Sequence, residues 1–103
     1  MARTLTDALN RGDSAAARAV FAPTARFDSV GRIYPDRDAI FDRFIDPEVI
    51  ALGGRYTELS SRTDGDRLVV EYNFTTRSGG REHFTYAYRI QDGVITDVIG
   101  RYV

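Results

Sequence analysis

Alternation of apolar and polar residues dominates the C-terminal half of the chain, in two segments that each predict a β-strand. In the segments 68–76 and 84–90, an aromatic or aliphatic residue occupies every second position: Leu68, Val70, Tyr72 and Phe74, then Phe84, Tyr86, Tyr88 and Ile90. Side chains of a strand point to opposite faces in turn, so both sets line one face of a sheet. Several tyrosines on that face indicate a mostly apolar surface that also carries hydroxyl groups. Small-molecule pockets are commonly lined by this mixture of apolar and polar groups.

The N-terminal half predicts helices. Apolar residues at helical spacing indicate a short first helix, a second helix over 15–21 and a third that starts at Asp36 and is interrupted or ended by Pro47. Asp13 or Ser14 can cap the second helix. Helices followed by strands indicate an α+β layout.

Strands account for most of the remaining sequence. A short strand over 25–29 separates the second helix from the third, and from Tyr56 onward the chain predicts only strands. Glycine-containing turns separate those strands at 64–65, 78–80 and 92–93. We therefore expect a single domain, residues 1–103, in which the helices pack on one face of a strongly curved antiparallel sheet.

The loop between the two aromatic strands sets their register. A three-residue loop at 78–80 would pair Phe74 with Phe84 and Tyr72 with Tyr86, keeping the aromatic residues on one face. A two-residue loop would mix the two faces, so the sequence favours the longer one.

The turn at 92–93 places a carboxylate on the same face. Asp-Gly suits a two-residue type I′ turn, because both central residues need positive φ. Such a turn would put Asp97 opposite Tyr88 and Ile99 opposite Tyr86. Asp97 would then lie among tyrosines.

The turn at 64–65 leaves two registers open. A tight turn puts Thr57 and Leu59 inward, but it sets Glu58 against Glu71, a pair of like charges that repel each other. A turn one residue longer puts a different set inward: Tyr56, Glu58 and Ser60.

Composition excludes several classes of protein. The net charge of −1 offers no basic surface for nucleic acid. With no cysteine and one histidine, the chain cannot supply a thiolate or multi-histidine metal site, and we expect neither metal nor cofactor. No apolar run is long enough to span a membrane or to form a signal peptide, so the sequence predicts a cytoplasmic protein. All 14 basic residues are arginine, which excludes a lysine Schiff base.

Four stretches of the chain resemble SnoaL-like proteins of the nuclear-transport-factor-2-like superfamily. They are Ala-Leu-Asn-Arg-Gly-Asp at 8–13, Phe-Ala-Pro-Thr-Ala-Arg-Phe at 21–27, Asp-Arg-Asp-Ala-Ile at 36–40, and the run 83–95. The resemblance covers nearly the whole chain. This superfamily includes polyketide cyclases and ketosteroid isomerase, so the resemblance is more specific for fold than for reaction.

The resemblance implies a strongly bent sheet wrapped over helices, with a cone-shaped pocket between them and a homodimer contact through the outer sheet face. The first helix is shorter here than in relatives, and the chain ends at Val103 with the last strand. A shallow pocket, or one closed by a partner chain, is therefore expected.

Four residues are the candidates for chemistry. Asp28 resembles the catalytic base of ketosteroid isomerase in position, although strict alternation with Phe27 points it outward unless a bulge intervenes. Tyr86 matches a member of that enzyme's oxyanion hole, and Tyr72 is a candidate second donor. Asp97 is the alternative acid. Both tyrosines could equally be core residues with satisfied hydroxyls.

A further set of residues is predicted to form the ligand wall. Its members are apolar or aromatic and lie on the predicted inner face or on the third helix: Phe27, Phe41, Phe44, Phe74, Phe84, Tyr88 and Ile99. At helical spacing, Phe41 and Phe44 are equally typical of a core. His83 alternates away from Phe84 and is expected on the outer face, among polar residues that suit a dimer contact.

Two functions compete at this point. The first is a cofactor-independent isomerase, cyclase or dehydratase that moves a proton on an apolar, oxygenated substrate such as a polyketide, steroid or terpenoid. Asp28 or Asp97 would be the base, and Tyr86 with Tyr72 the oxyanion donors. The second is a non-catalytic, dimeric ligand-binding module. A weaker third hypothesis is an assembly protein that uses only its outer face.

Overall fold

Three helices pack against a six-stranded sheet in the computed structural model, which describes residues 1–103. The helices are Ala2–Asn10 (α1), Ser14–Ala19 (α2) and Arg37–Ile40 (α3), and α3 runs directly into a π-helix, Phe41–Ile50. The strands are Phe21–Ser29 (β1), Arg32–Tyr34 (β2), Arg55–Asp64 (β3), Arg67–Thr75 (β4), Arg81–Gln91 (β5) and Val94–Tyr102 (β6). The predicted α+β fold is confirmed.

The sheet is open, with the strand order β2-β1-β6-β5-β4-β3. Neighbouring strands are antiparallel except β1 and β6, which are parallel. The sheet is therefore mixed, where the sequence predicted antiparallel pairing throughout. The reason is that β1 comes from the helical half of the chain. It joins the meander β3–β6 at its free edge, beside β6, and is not connected to β6 by a hairpin.

Local sequence explains where the first two helices lie. Leu5 and Leu9 share one face of α1, and each is 1% exposed. The Asp13 carboxylate caps α2 by accepting a hydrogen bond from the backbone N–H of Ala16 at 3.0 Å. The second helix ends earlier than predicted because Phe21 already belongs to β1.

Pro47 does not end the third helix, which was one of the two outcomes that the sequence left open. It lies inside the π-helix. The hydrogen bond from the Ala51 N–H to the Asp46 carbonyl, at 2.9 Å, spans five residues instead of the four of an α-helix. Proline has no N–H to donate, and its ring clashes with the preceding turn of an α-helix. The wider turn accommodates Pro47 and lets the helix continue to Ile50.

The aromatic strands pair two residues away from the predicted register. Tyr72 lies opposite Phe84 and Val70 opposite Tyr86. The connecting loop runs over 76–80, and the Thr76 N–H donates to the Gly80 carbonyl at 3.0 Å. The predicted three-residue loop was wrong. The faces were nevertheless correct, because a shift of two residues leaves every side chain on its original face.

A bulge moves Asp97 and Ile99 to the opposite face from the one predicted. The type I′ turn is confirmed, with φ of 53° at Asp92 and 79° at Gly93. The register then shifts by one residue at Arg89 and Ile90. Asp97 consequently lies opposite Arg89, and Ile99 lies opposite Ala87.

A second bulge reconciles the two registers left open for the first hairpin. Ser60 lies opposite Glu71, but Glu58 lies opposite Tyr72, and the shift falls at Leu59. The two glutamates therefore do not face each other, and the repulsion of a uniform tight hairpin is avoided. Tyr56 and Glu58 share the face of Tyr72.

The core lies between the helices and one face of the sheet, which we call the inner face. It carries Tyr72, Tyr86 and Tyr88, each no more than 5% exposed. The hydroxyls of Tyr72 and Tyr88 hydrogen-bond to each other at 2.8 Å, and burial raises the pKa of Tyr72 to about 12. The predicted sharing of one face by these three phenols is confirmed.

Most residues of the opposite, outer face are half-buried or exposed. His83 lies there as expected, with its Nε2 2.5 Å from the Glu71 carboxylate. A homodimer contact through this face stays a prediction. None of the helices is long and apolar enough to cross a membrane.

The Tyr72–Tyr88 pair makes a testable contribution to stability. Replacing either tyrosine by phenylalanine leaves the other hydroxyl buried without a partner, so each single variant should lose about 1–3 kcal/mol of unfolding free energy. The double variant Tyr72→Phe/Tyr88→Phe removes both hydroxyls and should lose clearly less than the sum of the two. Urea unfolding measures all four proteins. A double variant whose loss equals that sum would contradict the pairing.

Candidate functional site

A cavity of about 470 Å³ opens between the inner face of the sheet and the π-helix. Its wall contains seven aromatic residues: Tyr34, Phe44, Tyr56, Phe74, Phe84, Tyr86 and Tyr102. Its remaining members are mostly small, aliphatic or charged: Ser29, Val30, Arg32, Glu48, Val49, Leu52, Thr76, Glu82 and Gly100. The cavity is thus an aromatic-walled continuation of the core.

A pair of buried phenols forms the floor of the cavity. The hydroxyls of Tyr56 and Tyr86 are 2.9 Å apart, and both residues line the cavity. Burial raises the pKa of Tyr56 and raises that of Tyr86 well above its ordinary value, so both stay protonated at neutral pH. Two hydroxyl hydrogens are present and only one is used between them. The second hydrogen has no acceptor within the protein.

The ends of α1 and β6 position this floor. The Asn10 side chain accepts from the Tyr56 N–H at 2.7 Å and donates to the Tyr56 carbonyl at 2.9 Å, which fixes the start of β3 against α1. Gly100 lies opposite Tyr86 across β5 and β6. A Cβ atom at Gly100 would come within 3.3 Å of the Tyr86 ring. The absence of a side chain there leaves the ring open to the cavity.

The mouth of the cavity is exposed and apolar. It is marked by Val30, Leu52 and Tyr102, which are 46%, 48% and 59% exposed. Val30 also has a φ of 52°, a strained conformation for a β-branched residue. Strain of this kind is concentrated at functional sites, which fits the position of Val30 at the mouth.

Charged groups border the same mouth. Arg32 and Glu48 form an ion pair with 4.0 Å between Nη1 and Oε2. The Tyr102 hydroxyl donates to the Glu82 carboxylate at 2.5 Å. This hydrogen bond to the carboxylate raises the pKa of Tyr102. The carboxylates of Glu48 and Glu82 and the guanidinium of Arg32 therefore line the entrance of the cavity.

Part of the predicted site lies in this cavity. Tyr86, Phe44, Phe74 and Phe84 line it. Four other predicted residues are buried in the core behind it: Tyr72, Tyr88, Phe27 and Phe41. Phe27 supports the wall by packing edge-on against Phe44 and Tyr86, with ring centroids 5.2 and 5.1 Å apart. Ile99 lies on the outer face and does not contribute.

Asp28 lies outside the cavity, as strict alternation indicated. It is 8% exposed and pairs with Ile33 and Ile99 on the outer face. Arg101 donates two hydrogen bonds to its carboxylate, both at 2.9 Å, and the Gly31 N–H donates a third at 2.8 Å. The hydrogen bonds from Arg101 lower its pKa to about 2. Burial by itself would raise the pKa of a carboxyl group, but here the hydrogen bonds from Arg101 outweigh desolvation.

Asp97 is also held on the outer face. The Nη2 atom of Arg67 lies 2.8 Å from its carboxylate, and Arg26 is 3.8 Å away. The closer contact is an ion pair without hydrogen-bond alignment. The prediction that Asp97 lies among the tyrosines is wrong, because the bulge in β5 and β6 turns it away from them.

Sequence reasoning missed Tyr34, Tyr56, Glu48 and Glu82 as candidate site residues. Tyr56 was among the inward residues of one open register, so the signal was present but undecided. Glu82 precedes Phe84 by two positions, and alternation alone places it on the inner face. Glu48 had no signal, because the π-helix changes which residues share a helix face. No three histidine, aspartate or glutamate residues are grouped to hold a metal ion.

The architecture defines a class of α+β proteins in which a bent sheet and helices enclose a pocket. The SnoaL-like domain matches residues 2–98, and the chain belongs to that family. No curated protein matches the sequence.

Solved structures agree with this assignment. A "putative polyketide cyclase" from Sinorhizobium meliloti is 27% identical, with a TM-score of 0.85 over 97% of this chain and 92% of that one. An NTF2-like protein of unknown function from Cytophaga hutchinsonii is 15% identical, with a TM-score of 0.81 over 99% and 86%. A computationally designed 17-OHP binder is also 15% identical, with a TM-score of 0.86 over 99% and 87%. At 15% identity the likeness concerns the fold alone.

The Asp28–Arg101 pair predicts a pH dependence of stability. A pKa lowered from 3.8 to about 2 means that the contribution of Asp28 is complete above pH 3.8 and is lost as the pH falls through 2. At pH 6, Asp28→Asn should therefore cost about 1–2 kcal/mol of unfolding free energy, allowing for solvent screening at the half-exposed Arg101.

Denaturant unfolding of both proteins from pH 6 to pH 2 measures this difference, which should shrink toward zero at the acid end. Asp38→Asn is the matched control, because Asp38 pairs with Arg18 at 2.8 Å but is 77% exposed. That variant should lose less than about 0.5 kcal/mol. An Asp28→Asn effect that does not change with pH would contradict the ion-pair explanation.

Proposed function

We propose that the protein binds a small, largely apolar molecule with an oxygen acceptor, which receives a hydrogen bond from the Tyr56–Tyr86 pair. The observation that carries this proposal is the aromatic-walled cavity of about 470 Å³ with a protonated phenol pair at its floor. That volume lies within the range of roughly 300–1,000 Å³ that ligand pockets occupy, and a few polar groups in an apolar wall fix a ligand's orientation.

One of the similar structures supports a ligand of this type, and a second shows that the fold can hold one. One is described as a "putative polyketide cyclase" and the other as a 17-OHP binder. The first is the more informative, because its identity to this chain is 27% against 15%. Both descriptions agree with a role for the cavity in holding a small molecule.

Proton-transfer catalysis in the same cavity is the second candidate function, with isomerisation, cyclisation or dehydration as the reaction type. The observation that favours it is the placement of two carboxylates, Glu48 and Glu82, on the cavity wall. A carboxylate would remove a proton from the carbon beside a carbonyl group. The electron pair would move to the carbonyl oxygen, which the Tyr56–Tyr86 pair would stabilise by donating a hydrogen bond.

In this mechanism the candidate bases are Glu48 and Glu82, whereas the sequence predicted Asp28 or Asp97. Asp28 and Asp97 are engaged by arginines on the outer face, away from the cavity. Tyr72 donates to or accepts from Tyr88 within the core. If neither Glu48 nor Glu82 acts as a base, the protein is a binding module, which is the alternative within the first proposal.

A matched pair of naphthalenes tests the binding proposal. We expect 2-acetonaphthone to bind the wild-type protein more tightly than 2-isopropylnaphthalene, which has a similar shape but no acceptor. In the double variant Tyr56→Phe/Tyr86→Phe, which removes both donors, the ketone should lose about 5–10-fold in affinity, equivalent to one hydrogen bond of about 1 kcal/mol, and the hydrocarbon should lose little. Isothermal titration calorimetry measures both.

Two further variants serve as steric test and control. Gly100→Val adds a side chain toward the Tyr86 ring and should weaken both ligands. Ala87→Val makes a similar addition on the outer face of β5 and should weaken neither. Equal effects of these two variants, or no binding of either ligand, would refute the cavity as the binding site.

Catalysis is tested by proton exchange. If Glu82 or Glu48 is a general base, the protein should accelerate the exchange of the methyl-ketone hydrogens of 2-acetonaphthone with D₂O. Glu82→Gln or Glu48→Gln should then reduce that acceleration by about 100-fold or more, and Asp28→Asn should leave it unchanged. Proton NMR follows the exchange. A wild-type rate equal to that of buffer would leave the binding module as the function.

A further inference from the structure

We infer that the cavity prefers a ligand carrying a methylated ammonium group, held at the mouth against Phe74, Phe84 and Tyr102 and beside Glu82. This inference rests on the proposed binding function and adds the charge of the ligand to it. Three features of the mouth support it: the type of wall, the position of the carboxylate and the balance of charge.

The wall is unusually suited to a cation with an apolar surface. Seven of the 16 lining residues are aromatic. The face of an aromatic ring carries negative partial charge and attracts a cation that lies within about 6 Å of its centre. Aromatic faces accept hydrogen bonds poorly, so a primary ammonium would lose its water without full replacement. A methylated ammonium has no N–H groups to satisfy when it carries four carbon substituents.

The carboxylate of Glu82 lies among those rings because of strand pairing. Glu82 lies opposite Phe74 on β4, and Phe84 lies opposite Tyr102 on β6. Period-two alternation puts Glu82 on the same face of β5 as Phe84. An anionic group therefore interrupts an otherwise aromatic surface at the point where the cavity opens.

The carboxylate of Glu82 forms no ion pair within the protein. No arginine or histidine nitrogen lies within 4.0 Å of its carboxylate, and its partner is the neutral hydroxyl of Tyr102. The one arginine that lines the cavity, Arg32, is paired with Glu48. Among the residues that line the cavity, two are carboxylates and one is a guanidinium, and this excess of negative charge favours a cationic ligand over a neutral or anionic one.

An isosteric pair of probes isolates the effect of charge. The two compounds 3-hydroxyphenyltrimethylammonium and 3-tert-butylphenol share a shape and a hydroxyl group, and differ in whether nitrogen or carbon carries the three methyl groups. We expect the wild-type protein to bind the ammonium compound at least tenfold more tightly in calorimetry at 0.15 M salt, equivalent to about 1.4 kcal/mol.

Glu82→Gln should reduce that preference to about threefold or less, because the amide keeps the shape and loses the charge. Glu71→Gln removes a carboxylate from the outer face of the neighbouring strand and should keep the full preference. As a second measurement, NMR contacts from the ammonium methyl groups should reach the rings of Phe84 and Tyr102.

The outcomes separate this inference from the function on which it rests. If 2-acetonaphthone binds but the ammonium compound shows no preference over 3-tert-butylphenol, the cavity still binds ligands and the inference is overturned. A preference that survives Glu82→Gln, or methyl contacts elsewhere, also overturns it. If none of the three compounds binds, the proposed function itself fails.

Discussion

Burial of one face of a twisted sheet beneath the helices is the constraint on which the rest of the structure depends. The phenols of Tyr72, Tyr86 and Tyr88 all lie on that face, and none is more than 5% exposed. A shift of one residue in either strand would move the phenols of that strand to the outer face. A shift of two residues costs only local pairing, which explains why β4 and β5 could depart from the predicted register without any change of face.

The bulges matter because each one changes, from that point on, which residues of the strand face inward. At Leu59 a bulge brings both Tyr56 and Glu58 to the inner side of β3, and at Arg89 and Ile90 another sends Asp97 outward. The first adds a phenol to the cavity floor. The second removes a carboxylate from the core, where it would have been costly without a partner, and places it beside Arg67. The first bulge also avoids the repulsion between Glu58 and Glu71 in a uniform tight hairpin, and the second avoids a carboxylate buried without a partner.

Core and cavity are continuous parts of one aromatic cluster. The ring of Tyr72 is 5.4 Å from that of Tyr56 and 5.5 Å from that of Tyr86. Tyr72 and Tyr88 satisfy each other's hydroxyls inside the core, whereas Tyr56 and Tyr86 do so at the surface of the cavity. The same residue type therefore stabilises the fold in one place and, in the function that we propose, donates a hydrogen bond to a ligand in the other. What separates the two roles is the space left by Gly100 and the π-helix.

The sequence by itself determined the fold class, the inner face of β4 and β5, and the three predicted wall residues on those strands, because period-two alternation is a local property of the strand backbone. It also placed His83 on the outer face, and strict alternation pointed Asp28 there as well, against its choice as a candidate base. Only the tertiary structure decided which carboxylates border the cavity. A bulge or a π-helical turn depends on how neighbouring strands and helices fit together, and no pattern within one segment encodes that fit. Glu48 and Glu82 consequently took the places at the cavity that Asp28 and Asp97 were expected to hold, while paired arginines hold the two aspartates on the opposite side of the sheet.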